Sequence, residues 1–268
     1  ENEDFITSKN ISNKSKQLLS LRINVIAIEN DNVCGNIRKL CLIMENIRIW
    51  CGGDTPLPTV YIHSVAGDGH NVWEACRRIG CPDFNLVSVY DFDFEGDLTP
   101  WTASGVRKGQ PPFKGNAEHH LANLLGRIMP YAEAQLPAKP IYNALAGYSL
   151  AGLFALWSVW KTDRFTRIAC GSASFWYPGF VEYAASHPMI RRPDFVSLSL
   201  GDNESNTKHP VMSQVGKCTG KVLELLDVAG IPHCFEINPG NHFTEPDLRL
   251  AKAISRMLAG QDSIKTCN

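Results

Sequence analysis

From Thr59 onward, short apolar runs alternate with segments of helical period, and this alternation constrains the fold of the chain more than any other feature. Thr59–His63, Asn85–Tyr90, Ile141–Ala146, Arg167–Gly171, Phe195–Leu200 and His233–Ile237 read as strands, short and rich in residues that fit a pleated surface. Between them, Asn71–Ile79, Asn116–Gln135, Leu150–Lys161, Phe180–Ser186 and Glu245–Leu258 read as helices, with Pro130 expected to kink the second. A further helix is expected where Val211, Val215, Cys218, Val222 and Leu225 follow each other at spacings of 4, 3, 4 and 3. Strands separated by helices of this length require crossover connections. The expected fold is therefore α/β: a mostly parallel sheet with helices on both faces.

Upstream the pattern differs. Residues 1–20 read as a loose polar arm, and 21–268 as a single domain with no composition break. Arg22–Glu29 and Lys39–Trp50 read as extended runs around a turn at Asp31–Asn36, and predict an antiparallel hairpin at a sheet edge. Of the 268 residues, 44% are apolar and 20% charged, which excludes a disordered chain. Lys plus Arg number 26 against 27 Asp plus Glu, so neither a general nucleic-acid binder nor a protein drawn to anionic membranes is expected. No run approaches the ~20 apolar residues of a membrane span. None of the nine cysteines forms Cys-x-x-Cys, and the first residues lack the apolar core of a signal peptide, so a cytoplasmic location is expected. The oligomeric state cannot be read from the sequence.

In parallel sheets of this kind, functional groups gather at the carboxyl ends of the strands. Gly147-Tyr148-Ser149-Leu150-Ala151 lies at one such end and opens a helix. That is the strand–turn–helix setting of a nucleophile elbow, where the tight turn needs small residues at 147 and 151. Ser149 would then stand at a helix N-terminus, where free N–H groups favour developing negative charge. A serine hydroxyl needs a base, and the base needs an acid to orient it. His242, in Pro239-Gly240-Asn241-His242-Phe243 after the last strand, is the expected base. Gly201-Asp202-Asn203-Glu204 follows the strand before it. The sharp glycine turn with an acid three residues on favours Glu204, with Asp202 as the alternative. The backbone N–H of Leu150 is one expected oxyanion donor, and Ser64 or Val65, after the Thr59–His63 strand, the other. There is no His-Glu-x-x-His, no Gly-x-Gly-x-x-Gly after a strand and no Walker-type loop, so neither metal nor cofactor is expected.

Gly147–Ala155, Gly201–Glu204 and Pro239–Phe243 resemble the serine esterase family of the α/β-hydrolase fold, which includes enterochelin esterases, esterase D-type enzymes and feruloyl esterases. Asp97-Leu98-Thr99-Pro100-Trp101 and Ser174-Phe175-Trp176-Tyr177-Pro178-Gly179-Phe180 are similar to segments of bacterial members, and the similarity spans about Thr59 to Leu258. The resemblance implies a cofactor-free hydrolase of small-molecule esters in which Ser149 is the nucleophile, His242 the base and Glu204 the acid. Where many relatives carry His-Gly after the oxyanion strand, this chain has His63-Ser64. Some siderophore esterases of the family work with a Ser–His pair alone. The alternative class is a descendant that binds an aromatic or ester-like ligand in the same cleft without catalysis.

Only Ser172–Asp194 separates two successive strands where many α/β-hydrolases insert a lid, so no large lid domain is expected. The longer excursion, Asp91–Gly115, carries three prolines and four aromatic residues. Within it Trp101 either forms an apolar pocket with Trp176 beside Ser149 or anchors the loop to the core. Phe113 and Tyr148 are the other expected pocket residues.

Overall fold

The computed structural model describes residues 46–106 and 109–262. Among the described residues seven strands form one sheet: β1 (Ile47–Trp50), β2 (Thr59–His63), β3 (Asn85–Val89), β4 (Asn143–Tyr148), β5 (Arg167–Gly171), β6 (Phe195–Gly201) and β7 (His233–Asn238). Their spatial order is β1-β3-β2-β4-β5-β6-β7. Only β1 runs antiparallel, pairing Ile47 with Val89 and Trp50 with Leu86; all other neighbours are parallel. β1 is the one described part of the expected hairpin, and Arg22–Glu29 and the residues 1–20 expected as an arm lie outside the described residues. From Ile47 onward, the described residues pack as one unit.

The connecting helices are α1 (His70–Arg78), α2 (Phe94–Asp97), α3 (Ala117–Asn123), α4 (Met129–Glu133), α5 (Leu150–Trp157), α6 (Phe180–Ser186), α7 (Val215–Val228) and α8 (Pro246–Ala259). The side-chain period of two along each strand divides the core into two layers. Val60, Ile62, Ala144, Ala146 and Ala169 face α1 and α8, meeting Val72, Cys76, Leu250, Ile254 and Met257. On the other face Tyr61 meets Phe165, and His63 meets Phe154 of α5. α5 is buried along its whole length, which explains why its sequence is apolar all round rather than striped. Among the described residues, no helix is long and apolar enough to cross a membrane.

Two boundaries differ from the sequence pattern for physical reasons. The β4 strand starts two residues later than the apolar run and continues through Tyr148, because Gly147 and Tyr148 pair with Cys170 and Gly171 of β5. Around Pro130, where a kink is expected, the helix changes type. A π-helical turn, Leu124–Ile128, precedes the proline, which is the second residue of α4.

At the carboxyl end of β2, two histidines share a buried cage. His120 Nε2 lies 2.9 Å from His63 Nε2, with Phe92 and Phe154 packed on both rings. Burial, and then the neighbouring His120, holds His63 well below the usual histidine range. Burial lowers His120 too, against an opposing pull from Asp97. Both rings are neutral in the folded state and take up protons on unfolding below the ordinary histidine pKa of about 6.5, so stability falls with pH below that point. The melting temperature should drop between pH 7 and 5, and His120→Gln should make that drop shallower. An identical slope in the variant would show that the pair does not carry it.

Candidate active site

The strand order reverses about β2, since the chain passes from β3 on one side of it to β4 on the other. A crevice opens at such a point beyond the carboxyl ends of the strands. Here it is a cavity of about 760 Å³, and Ser149, Leu150, Val65, Glu204 and His242 all line it.

Ser149 is the residue between β4 and α5, with φ 59° and ψ −122°. A non-glycine residue in that region is strained by about 1–3 kcal/mol. Its neighbours leave no other room: a Cβ on Gly147 would lie 2.2 Å from the Ala151 carbonyl carbon, and one on Gly152 2.8 Å from the Ala173 Cβ. Among the described residues three more non-glycine residues have positive φ, Asp91, Ser172 and Glu245, and each lies in a connection leaving a strand's carboxyl end.

The polar groups form a continuous series. Ser149 Oγ is 3.1 Å from His242 Nε2, and His242 Nδ1 is 2.8 Å from Glu204 Oε2. Glu204 is carried by the turn after β6, where its Oε1 accepts from the Gly201 N–H at 2.7 Å. A Cβ at Gly201 would meet the Gly240 carbonyl at 2.4 Å, so glycine is required for this turn. Glu204 Oε1 also accepts from Ser172 Oγ at 2.5 Å and from Arg249 Nη1 at 3.1 Å. Burial by itself would raise the Glu204 pKa. The hydrogen bonds from His242, Ser172 and Gly201 together outweigh that, and the carboxyl is held below its ordinary value. With the carboxylate ionised, His242 carries its proton on Nδ1 and Nε2 is left to accept from the serine.

Asp202 lies elsewhere. Its Oδ1 accepts from the Gly240 N–H at 2.8 Å and fastens the loop that carries His242. Tyr148 lines the cavity and also donates its hydroxyl to the His242 carbonyl at 2.7 Å. Of the two expected second oxyanion donors, Ser64 has its N–H committed to the Val89 carbonyl at 2.9 Å, extending the β2–β3 ladder. Val65 lines the cavity, 70% exposed at its mouth. The N–H of Leu150 belongs to the first turn of α5, where no carbonyl inside the helix can take it.

The pocket residues divide. Phe113 and Trp176 line the cavity, together with Phe94, Val106, Met212 and Phe243. Trp101 does not. Its indole N–H donates to the Pro178 carbonyl at 2.8 Å, its ring packs on Tyr177 and Tyr183, and its carbonyl accepts from the Tyr177 hydroxyl. Of the two roles open to it from sequence, the geometry matches the anchor. The Asp91–Gly115 excursion also reaches across to the loop after β6, through a hydrogen bond from His209 Nε2 to the Val106 carbonyl.

The sequence profile of the "Putative esterase" family matches residues 86–232. The chain belongs to this esterase family. It is a hydrolase of the esterase type with an α/β-hydrolase sheet. An uncharacterized protein of Bacillus subtilis strain 168, YbbA, is 23% identical over 221 residues, 79% of this chain and 87% of YbbA. An IroE-like serine hydrolase from Shewanella oneidensis superposes with a TM-score of 0.65 at 16% identity, covering 80% of this chain and 75% of its own. The siderophore hydrolase EstA from Aspergillus nidulans gives 0.61 at 17% identity, with 86% of this esterase and 99% of EstA covered.

Three polar groups hydrogen-bonded to Ser149 or Glu204 were not given a role in the sequence, Ser172, Ser174 and Arg249, and neither were the apolar wall residues Phe94, Val106, Met212 and Phe243. Arg249 had a visible signal, because it falls on the apolar stripe of α8 with Leu250, Ala253 and Met257 yet carries a charge. Ser174 opens the Ser174–Phe180 segment that the resemblance covers, and Ser172 had no signal, since serine is common in loops.

The closeness of Gly147 to Ala151 sets a direct test of the elbow. Gly147→Ala should lower the melting temperature by about 5–10 °C, the range expected for overpacking against backbone. Gly126→Ala, where a Cβ would meet nothing within 4 Å, should not lower it. Equal melting temperatures for the two variants would contradict this packing.

Proposed function

We propose that the protein is a serine carboxylesterase working through an acyl-enzyme. The observation that carries this reading is the unbroken hydrogen-bonded series from Ser149 through His242 to Glu204 at the wall of the cavity. In acylation the Ser149 Oγ attacks the ester carbonyl carbon while its proton passes to His242 Nε2. The tetrahedral intermediate then expels the alcohol, which takes that proton. A water molecule repeats the sequence in reverse and frees the acid. Glu204 holds the imidazole in the required tautomer and stabilises the imidazolium. The N–H groups of Leu150 and Val65 face the developing oxyanion.

The apolar walls supplied by Phe94, Phe113, Trp176 and Phe243 favour an ester with an aromatic or extended apolar group. Siderophore hydrolases among the structural neighbours make esters of that bulk a natural first substrate set.

A fluorophosphonate probe should label Ser149 alone, and Ser149→Ala should abolish both labelling and p-nitrophenyl acetate hydrolysis. Labelling at another residue, or hydrolysis that survives in Ser149→Ala, would refute the assignment. The carboxylates give a second test. Glu204→Gln should lower kcat by about 100-fold or more, because the imidazolium loses its counter-charge. Asp202→Asn keeps the oxygen that accepts from Gly240 and should stay within about threefold of wild type. The opposite ranking would make Asp202 the acid, and small losses in both would indicate a Ser–His pair.

A further inference from the structure

Ser174 makes a contact that the mechanism above does not use. It is 1% exposed, in the connection after β5, and its Oγ lies 3.2 Å from the Ser149 Oγ. Its backbone N–H donates to the Ser149 carbonyl at 3.0 Å, so its position is tied to the strained elbow itself. The direction of the hydroxyl–hydroxyl bond follows from the rest of the series. His242 spends its Nδ1 proton on Glu204, so Nε2 must accept, and the one proton of Ser149 points at it. Ser149 Oγ is therefore the acceptor towards Ser174, and Ser174 the donor.

Such a donor acts unequally on the two half-reactions. In the free enzyme Ser149 Oγ is a hydroxyl oxygen and already accepts the Ser174 bond at full strength, so acylation gains little from it. In the acyl-enzyme the same oxygen is an ester oxygen, conjugated with the carbonyl and a poor acceptor. As water adds, conjugation is lost and electron density returns to Oγ. When the C–Oγ bond breaks, Oγ keeps the electron pair and takes its proton from His242 Nε2. Only an interaction that strengthens on the way to the transition state raises the rate, and the Ser174 bond does so in deacylation alone.

Resting on the reading of Ser149 as nucleophile, we infer that Ser174 is a further catalytic residue, a hydroxyl donor to the departing Ser149 oxygen that serves acyl-enzyme hydrolysis selectively.

The test compares wild type with Ser174→Ala on p-nitrophenyl butyrate, by stopped-flow and by intact-protein mass. The variant should lose about 10-fold in deacylation, the worth of one hydrogen bond. Butyryl-enzyme should accumulate, with a larger burst of nitrophenol. In the steady state kcat and KM should fall together while kcat/KM stays within about twofold. An unchanged melting temperature and an unchanged rate of fluorophosphonate labelling should accompany this. A loss of kcat/KM as large as the loss of kcat, without acyl-enzyme build-up, would overturn the proposal, as would wild-type deacylation in the variant. Failure of wild type itself to form any adduct at Ser149 would instead refute the nucleophile assignment on which the proposal stands.

Discussion

The buried carboxylate of Glu204 is the point on which the site's geometry depends. Its side chain is 2% exposed, and the Arg249 side chain, whose Nη1 lies 3.1 Å from Oε1, is 3% exposed. A charge at such a depth persists only with a partner and with its remaining lone pairs filled. Arg249 supplies the partner, and Ser172, Gly201 and His242 fill the oxygens. These groups come from the connections after β5 and β7, from the end of β6 and from α8, so one carboxylate fastens four separate pieces of chain. Arg249 extends the clamp, donating to the Pro239 carbonyl at 2.6 Å and reaching the Tyr148 hydroxyl at 3.4 Å. The histidine loop is thus held at both its ends and from below.

The strained conformation of Ser149 is tolerated because the surrounding backbone leaves no alternative. Its N–H and carbonyl are both committed, to the Gly171 carbonyl and to the Ser174 and Leu153 N–H groups. The steric demands at 147 and 152 are met by glycines. The resulting turn directs one hydroxyl into the cavity at the start of a helix whose every residue is buried, and a rigid support of this kind keeps reacting groups in register.

The neutral pair His63–His120 lies one residue before the Ser64–Val65 segment and against α5, the helix that Ser149 begins. A cage of Phe92 and Phe154 around two uncharged imidazoles gives the β2 end a polar but charge-free floor. The same cage makes that floor sensitive to acid, because burial disfavours a protonated ring there by more than Asp97, 3.9 Å from His120, favours it.

The order of strands and helices, the elbow at Gly147–Ala151 and the positions of the histidine and acid loops were legible in the sequence, because each rests on local rules. Period separates strand from helix, and a tight turn admits only small residues. The tertiary structure decided the rest. Asp202 and Glu204 stand two residues apart in one turn; the spacing from Gly201 favoured Glu204 but left Asp202 open, and only the packing separates the one that reaches His242 from the one that holds Gly240. Trp101 and Trp176 are both aromatic residues in loops above the sheet. Only the packing of Tyr177, Tyr183 and Pro178 shows that the first is an anchor and the second a wall of the cavity. Ser172, Ser174 and Arg249 are far from each other in sequence or unremarkable in type, and acquire their roles from the meeting of β4, β5, β6 and α8. A local pattern records what a residue's own turn requires of it; which distant group it meets is set by the sheet order, which no short segment encodes.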